Sequence, residues 1–301
     1  MTDMARRGGS VAIVGRPNVG KSTLLNRLLG QKLSITADKP QTTRHRILGV
    51  VEQPGGQLAL LDTPGIHRMR GARALNHALN RAALGAVIEA DVVWFMIAAG
   101  QWDEAEDRIL ASLVREARPV MLLVNKIDRL KRREDLLPFL QSIAVKYEFV
   151  EIFPISALKG DNAQRLVEHT LAHLPEGGAR YPQDQLTDRS LRFISAEFIR
   201  EQIMRSLGEE VPYAAAVTIE QFEESPTLVR IIATVWVERD GQKAILIGKG
   251  GTRLKTIGSA ARQSLEALVE RKVFLQLWVK VRAGWQDDPR FLHSLELDDL
   301  K

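Results

Sequence analysis

An α/β fold with a mostly parallel sheet and helices on both faces, followed by a smaller α+β unit, is what the sequence predicts. Three observations predict it. First, the apolar, β-branched run Val11–Val14 leads through a glycine-rich loop into Thr23–Leu29, whose leucines recur at helical spacing and which stops at Gly30. Second, three more apolar runs, Leu58–Leu61, Val120–Val124 and Ile152–Ile155, each end in a polar loop, as strands buried on both faces do. Third, prolines and glycines cluster at 174–182, and the pattern beyond them changes.

The first loop, Gly15-Arg16-Pro17-Asn18-Val19-Gly20-Lys21-Ser22, fits G-x-x-x-x-G-K-[ST] without mismatch, and Thr23 follows it. Its strand-to-helix setting is what the pattern requires, which sets aside a glycine turn that binds nothing. Glycines let successive backbone N–H groups close around phosphate oxygens, and the helix N-terminus adds partial positive charge. Lys21 would reach the β- and γ-phosphates, and the Ser22 hydroxyl would ligate Mg²⁺. This is a nucleoside triphosphate site.

The base is specified after the Val120–Val124 strand, by Asn125-Lys126-Ile127-Asp128. The Asp128 carboxylate can accept from both N1–H and the exocyclic amine of guanine, a donor pair adenine lacks. A wrong base would leave it buried and unpaired, the condition for strong discrimination. Asn125 and Lys126 would brace the loop and cover the base. Ser156-Ala157-Leu158 reads as the last loop closing over it.

Between these lie the parts that sense the γ-phosphate. Leu58–Leu61 leads into Asp62-Thr63-Pro64-Gly65, where Asp62 would hold Mg²⁺ through water and the Gly65 N–H would approach the γ-phosphate. Pro40-Gln41-Thr42-Thr43-Arg44 supplies hydroxyls in a polar loop. One threonine, Thr43 ahead of Thr42, would complete the Mg²⁺ shell. Lys21, Thr43, Asp62 and Gly65 are thus the candidate catalytic set. Loops held only by γ-phosphate and Mg²⁺ are released on hydrolysis, which makes a switch.

At 301 residues the chain is long for one core and suggests two domains. It has no cysteine, which excludes disulfides and thiolate metal sites and agrees with a reducing, cytoplasmic setting. Met1–Ser10 lacks the apolar core of a signal peptide, and no apolar run is long enough to span a bilayer. The formal charge of +5 points mildly to a polyanionic partner.

We place the first domain at 1–176, a linker at 177–190 and the second domain, with a C-terminal tail, at 191–301. Ala163–Leu174 reads as the helix before the linker; His169 and His173 on it, with no third ligand nearby, read as an exposed face. Asp188–Leu207 reads as an amphipathic helix. Two strand-like runs follow, Tyr213–Gln221 and Leu228–Val237, with Glu223–Pro226 turning between them. Next comes Ile245-Leu246-Ile247-Gly248-Lys249-Gly250-Gly251, then a helix over Thr252–Glu270 and a strand over Val273–Val281. A G-x-x-G turn can clamp the backbone of a single strand, with N–H groups, Lys249, Arg253 and Lys255 toward the phosphates and Ile247 in an apolar groove for the bases. Trp236, Trp278 and Trp285 read as core or edge packing rather than base platforms.

The ordered set GRPNVGKS, QTTR, DTPG, NKID and SAL, residues 15 to 158, resembles the Era branch of the translation-factor-related GTPases. The helix, strand and glycine-turn order beyond residue 188 resembles a type II KH domain. The resemblance implies a Ras-like P-loop GTPase of α/β class followed by an α+β type II KH domain. It implies binding of GTP and GDP, and of 16S rRNA near its 3′ end, in assembly of the small (30S) ribosomal subunit. Hydrolysis would help the protein leave the subunit. In the GTP state the γ-phosphate would order Thr43 and the loop after Gly65, which set how the KH domain packs. Ile66 stands where Ras-like relatives carry a water-orienting glutamine, so unstimulated turnover should be on the order of 10⁻⁴–10⁻² s⁻¹. The resemblance also implies a K⁺ ion held by Asn18 against the phosphates, the alternative being that Asn18 only stabilises the loop. A monomer is expected. Peripheral contact with the inner face of the membrane is a family trait that nothing in this sequence demands. A competing reading is an RNA-binding adaptor stabilised by nucleotide, with incidental hydrolysis.

Overall fold

The computed structural model describes residues 6–66, 73–177, 180–208 and 211–297. The first unit runs β1 (Arg7–Gly15), α1 (Lys21–Leu29), β2 (Ile47–Gln53), β3 (Gly56–Asp62), α2 (Ala74–Glu89), β4 (Val92–Ala98), α3 (Glu104–Arg115), β5 (Val120–Asn125), α4 (Leu136–Ala144), β6 (Ile152–Pro154) and α5 (Ala163–Ala172). Its six strands lie in the order β2-β3-β1-β4-β5-β6, all parallel except β2, which is antiparallel to β3. The two neighbours of β1 come from later in the chain on either side, so the loop after Gly15 opens at a topological switch point, where such sheets bind ligands.

Alternation along β1 divides the core between the two sheet faces. Val11 and Ile13 pack with Leu24, Leu25, Leu166 and Val167 of α1 and α5. Ala12 and Val14 pack with Ala86, Val87, Ile109, Leu113 and Ile143 of α2, α3 and α4. Helices therefore cover both faces, as the continuous apolar strands predict.

The segment predicted as a linker is packed onto the first unit. Val50 of β2 donates to Leu186 O (2.9 Å), and the Gln57 side chain accepts from the backbone of Arg180 and Tyr181. Within that segment Gly178 and Ala179 lie outside the described residues, as do Met1–Ala5 and the predicted tail beyond Leu297.

The second unit comprises α6 (Leu191–Ser206), β7 (Ala216–Glu224), β8 (Leu228–Val237), α7 (Asp240–Ile247), α8 (Thr252–Val269), β9 (Lys272–Val281) and α9 (Pro289–Ser294). The sheet order is β7-β8-β9, with β7 and β8 antiparallel and β8 and β9 parallel; α6 and α8 pack together on one face. β7 starts at Ala216, later than the apolar run begins, because Val211–Ala215 forms turns. Glu223 and Glu224, expected in the turn, extend β7 against Arg230 and Val229.

α6 departs most from its sequence pattern. The run reads as amphipathic, yet Phe193–Met204 is buried around most of the helix, Glu197, Arg200 and Glu201 included. The reason is position: α6 lies between the two units, its apolar side facing the β7-β8-β9 core and its charged side facing residues 32–44. A second bridge is made by the C-terminal segment. Trp285, Phe291 and Leu292 pack with Leu75 and Leu79 of α2.

Candidate nucleotide site and glycine turn

The loops at the C-terminal ends of β1, β3, β5 and β6 surround a cavity of about 450 Å³. Pro17, Asn18, Gly20, Lys21, Ser22, Thr23, Thr43, Gly65, Asn125, Lys126, Asp128, Ala157 and Leu158 line it, so most of the predicted residues converge on one space. Gly20 has φ +112°, and a Cβ there would collide with the Asn125 side-chain amide; only glycine fits.

Lys21 is buried and donates to Gly15 O (3.2 Å) and Arg16 O (2.9 Å). Burial pushes its pKa down to about 8, partly offset by Asp62. Asp62 is fully buried. Desolvation raises its pKa, against the lowering pull of Lys21, Ser22 and Ser34. Its Oδ2 accepts from Ser22 Oγ (2.6 Å) and Ser34 Oγ (2.7 Å), while Oδ1 is buried with no hydrogen-bond partner. Thr43 Oγ1 lies 2.9 Å from Ser22 Oγ. Thr42 instead turns its hydroxyl to Lys39 O (2.6 Å), away from this group.

The base-side loop is braced as its residues predict. Asn125 donates to Val19 O (2.7 Å) and accepts from Ala157 N, Lys126 donates to Asn18 O (2.6 Å), and Ser156 Oγ donates to Asp128 Oδ1 (2.7 Å). Ser156 thus positions Asp128 from outside the cavity.

Several predicted residues do not line the cavity. Arg16 points to Asp103 (2.8 Å) and Glu106 of the α3 capping box. Val19 and Pro64 are buried, Thr63 Oγ1 donates to Ile13 O (2.8 Å), and Ile127 begins a short helical turn with its N–H on Ile155 O. These shape the loops by packing. Ile66 donates its N–H to Gly15 O (3.1 Å), which ties the loop after β3 to the phosphate loop. The continuation of that loop, 67–72, lies outside the described residues.

Sequence reasoning missed part of the lining. Ile35–Lys39, Gln41, Arg129 and Arg205 also face the cavity. Arg205 comes from α6, more than 160 residues after Thr36, whose carbonyl it meets at 3.0 Å. No local pattern could have signalled it.

Within the predicted polar loop 40–44, Thr42, Thr43 and Arg44 are buried beneath the second unit, while Pro40 is exposed and Gln41 half-buried. Arg44 is 3% exposed and donates to Ala215 O (2.8 Å) and Tyr213 O (2.9 Å). Arg200 of α6, paired with Glu197 at 2.7 Å, donates to Thr42 O. Lys39 reaches Met204 O (2.6 Å), and Glu201 accepts from Thr36 N (3.0 Å) and Lys32.

In the second unit Gly248, Gly250 and Gly251 all have positive φ and turn the chain from α7 into α8. At Gly248 (φ +73°) a Cβ would meet the Arg253 Cβ at 2.8 Å. The predicted short apolar segment 245–247 is the end of α7, and Arg253 donates back to Ile245 O (2.6 Å). Lys249, Gly250, Arg253 and Lys255 are exposed, while Ile247 and Gly251 are half-buried. Trp285 is in the core as expected, with Nε1 on Ala214 O (2.9 Å). Trp278 is 53% exposed instead. His169 is exposed and meets Glu151, and no metal-binding cluster of His, Cys, Asp or Glu occurs among the described residues.

Residues 10–126 match the family described as 50S ribosome-binding GTPase, and residues 210–286 match the KH domain family. The GTPase Era of Stenotrophomonas maltophilia is 54% identical over 287 residues, 95% of this chain and 96% of its own length. That of Xanthomonas oryzae is 53% identical, covering 98% of both. Among solved structures, an Aquifex aeolicus Era variant bound to GDP·AlF4⁻ superposes with a TM-score of 0.93 at 43% identity, over 97% of this chain and 99% of that one. Era in complex with MgGDPNP and nucleotides 1506–1542 of 16S ribosomal RNA superposes with a TM-score of 0.94 at 42% identity and the same coverage.

Proposed function

The chain belongs to the Era family of GTPases, and on that footing we propose that it is a GTP-driven switch that binds the 3′ end region of 16S rRNA during assembly of the small ribosomal subunit. One observation carries the switch. The loop 32–44, which carries Thr43, is bonded directly to the RNA-binding unit through Arg44, Arg200 and Glu201, and Arg73, at the start of α2, reaches Gln286 at 2.5 Å.

Within this reading, the backbone N–H groups of 15–22 cradle the phosphates and Lys21 neutralises the β- and γ-oxygens. A bound triphosphate would draw Lys21 off the carbonyls of Gly15 and Arg16 and raise its depressed pKa. Asp128, held by Ser156, pairs with guanine, while Asn125 and Lys126 lock the base loop to the phosphate loop. The donor set around Asp62 suits Mg²⁺: a buried carboxylate oxygen without a partner and two adjacent hydroxyls, all hard oxygen ligands. Ser22 and Thr43 would hold the ion, with Asp62 beside them, and Mg²⁺ would neutralise charge developing on the phosphates. Asn18 is exposed at the cavity lip, where a K⁺ ion would add positive charge in place of a supplied arginine. Hydrolysis in KCl against NaCl tests that ion. Ile66 offers no hydrogen bond to a nucleophilic water, so slow turnover without a stimulating partner is expected.

Domain limits near 1–176 and 191–301, joined by the packed segment between, fit this division of labour. The reading places the protein in the cytoplasm as a monomer. Peripheral contact with the inner face of the membrane rests on family resemblance, and co-sedimentation with vesicles tests it. Among the described residues no helix is long and apolar enough to cross a membrane.

The testing experiment is linkage. RNA carrying the 3′ end of 16S rRNA is titrated with the protein bound to GDPNP or to GDP, and the two nucleotides are titrated with and without RNA. The two affinity ratios must agree, because coupling is reciprocal. Equal RNA affinity in both nucleotide states would sink the switch. Multiple-turnover hydrolysis with and without small subunits then measures stimulation.

A further inference from the structure

The three-stranded sheet of the RNA-binding unit has a second face. Val229, Ile231, Ala233, Val235 and Val237 of β8, with Val273 and Val279 of β9, point into the core beneath α6 and α8. Their even-numbered neighbours point away from the helices. On β9, an edge strand, that outward row reads Lys272, Phe274, Gln276, Trp278 and Lys280. Phe274 is 41% and Trp278 53% exposed, and no other Phe, Trp or Tyr is exposed among the described residues. Cations flank the rings. Arg230, opposite Phe274 in the parallel register, lies 4.8 Å from its ring centre, and Lys280 lies 5.6 Å from that of Trp236, its own partner on β8. The acidic side chains of this sheet, Glu220, Glu223 and Glu224, are on β7 at the far edge.

We propose that the outer face of β9 is a second single-stranded RNA platform, on which Phe274 and Trp278 each stack an unpaired base while Lys272, Lys280 and Arg230 meet the phosphates. The proposal rests on the RNA-binding reading above and extends it. Rings bracketed by cations on one sheet face are what sequence-tolerant recognition of a single strand uses. Four residues of strand separate the two rings by about 13 Å, so they would engage two different bases. The site is also continuous with the glycine turn: β9 packs against both α7 and α8, which carry that turn, and its outer edge has no neighbouring strand in the sheet. A glycine turn clamps about four nucleotides, so RNA running past it can cross the β9 edge onto this face. A membrane-docking surface of this kind would be expected on an amphipathic helix with a broad apolar face, whereas here polar Gln276 separates the rings.

The test uses the full chain and two unstructured RNAs ending in the same 3′ sequence of 16S rRNA, one of about 5 nucleotides and one of about 20. Phe274→Ala/Trp278→Ala should weaken the long RNA by roughly 5- to 150-fold per ring. It should leave the short RNA and GTP turnover unchanged. Trp278→Phe should retain most of the long-RNA affinity, and Lys249→Asp/Gly250→Asp should lose both RNAs. Ultraviolet crosslinking of the long RNA should label the peptide containing Phe274 and Trp278. Undiminished long-RNA binding by the double alanine variant would overturn the proposal, as would equal losses for both RNAs. So would loss of binding to phosphatidylglycerol vesicles with RNA binding intact, which would assign the face to lipid. If wild type binds neither RNA, the RNA-binding reading itself fails.

Discussion

The hydroxyls of Ser22 and Thr43, 21 residues apart in the chain, lie 2.9 Å from each other, and Ser22 also donates to Asp62 Oδ2 at 2.6 Å while Oδ1 has no partner. The first lies in the opening turn of α1 and the second in the loop before β2, which is held down by Arg44 and Arg200. The Mg²⁺ shell we assign is therefore closed by a residue whose position the RNA-binding unit controls. Thr43→Ala should keep GDP affinity within about 2-fold while losing on the order of 10-fold in GTP affinity with Mg²⁺, a loss of about 1.4 kcal/mol. Titration with fluorescent GTP and GDP, each with Mg²⁺ or EDTA, measures both. An equal loss for the two nucleotides would show that Thr43 only supports the fold.

Asp128→Asn exchanges a double acceptor for an amide, which suits xanthine and not guanine. Affinity for GTP should fall by roughly 10²-fold or more, and XTP should bind better than GTP. Competition between the two nucleotides reads the result; retained preference for GTP would place the base elsewhere.

Arg200 and Glu197 form an ion pair in which both side chains are nearly inaccessible. Arg200→Met leaves a buried carboxylate without its partner and should destabilise the protein by about 3–5 kcal/mol. Glu197→Leu/Arg200→Met removes both charges and should recover much of that loss. Urea denaturation of the three nucleotide-free proteins makes the comparison. The double variant should still lose coupling between RNA and GTP, since Thr42 O loses its donor.

His45 gives the structure an acid-sensitive contact. It is 8% exposed, packs edge-on against Phe193 (4.8 Å) and sits near Glu296 O, Glu197, Arg200 and Arg189. Burial pushes its pKa down to about 4 from the usual 6.5, despite the opposing pull of Glu197. The unfolded chain takes up this proton first as the pH falls, so stability is full above pH 6.5 and declines from there toward pH 4. The decline amounts to on the order of 3 kcal/mol. Glu197, whose desolvation is outweighed by Arg200 so that its pKa is depressed, adds a loss of the same sign that begins in the ordinary carboxylate range and grows as the pH falls through its lowered pKa. His45→Phe should flatten the profile between pH 6.5 and 4 and leave the more acidic slope. An unchanged profile would mean that His45 takes up its proton over the same pH range in the folded and unfolded protein.

The phosphate loop, the guanine-side loop and the glycine turn were legible because each is a short run of chain whose chemistry is local. Gly20 holds a φ of +112° that favours glycine, and residues 125–128 sit directly at the end of a strand. The strands carrying them were legible because burial on both faces imposes continuous apolar runs. Arg205, Ser34 and Arg44 were not. Arg205 looks like any helical arginine until α6 lies against residues 32–39, and Ser34 is an ordinary loop serine until Asp62 is brought to it. The pattern of α6 misled for the same reason: its charged positions suggested solvent, and they meet the first unit.

By itself, then, the sequence determined a nucleotide-binding sheet, its guanine-side loop and a glycine turn in a second unit. Backbone conformation and alternating burial are decided within a few residues, so composition and spacing record them. Only the tertiary structure decided that the loop carrying Thr43 is buried under α6, that Thr43 and not Thr42 faces Ser22, and that Trp278 is left uncovered. The first of those outcomes depends on surfaces that meet across more than 150 residues of chain, and the others on how distant segments are brought to or kept from one place. A side chain's charge or hydrophobicity states what it needs from a neighbour, and folding alone selects which neighbour it gets.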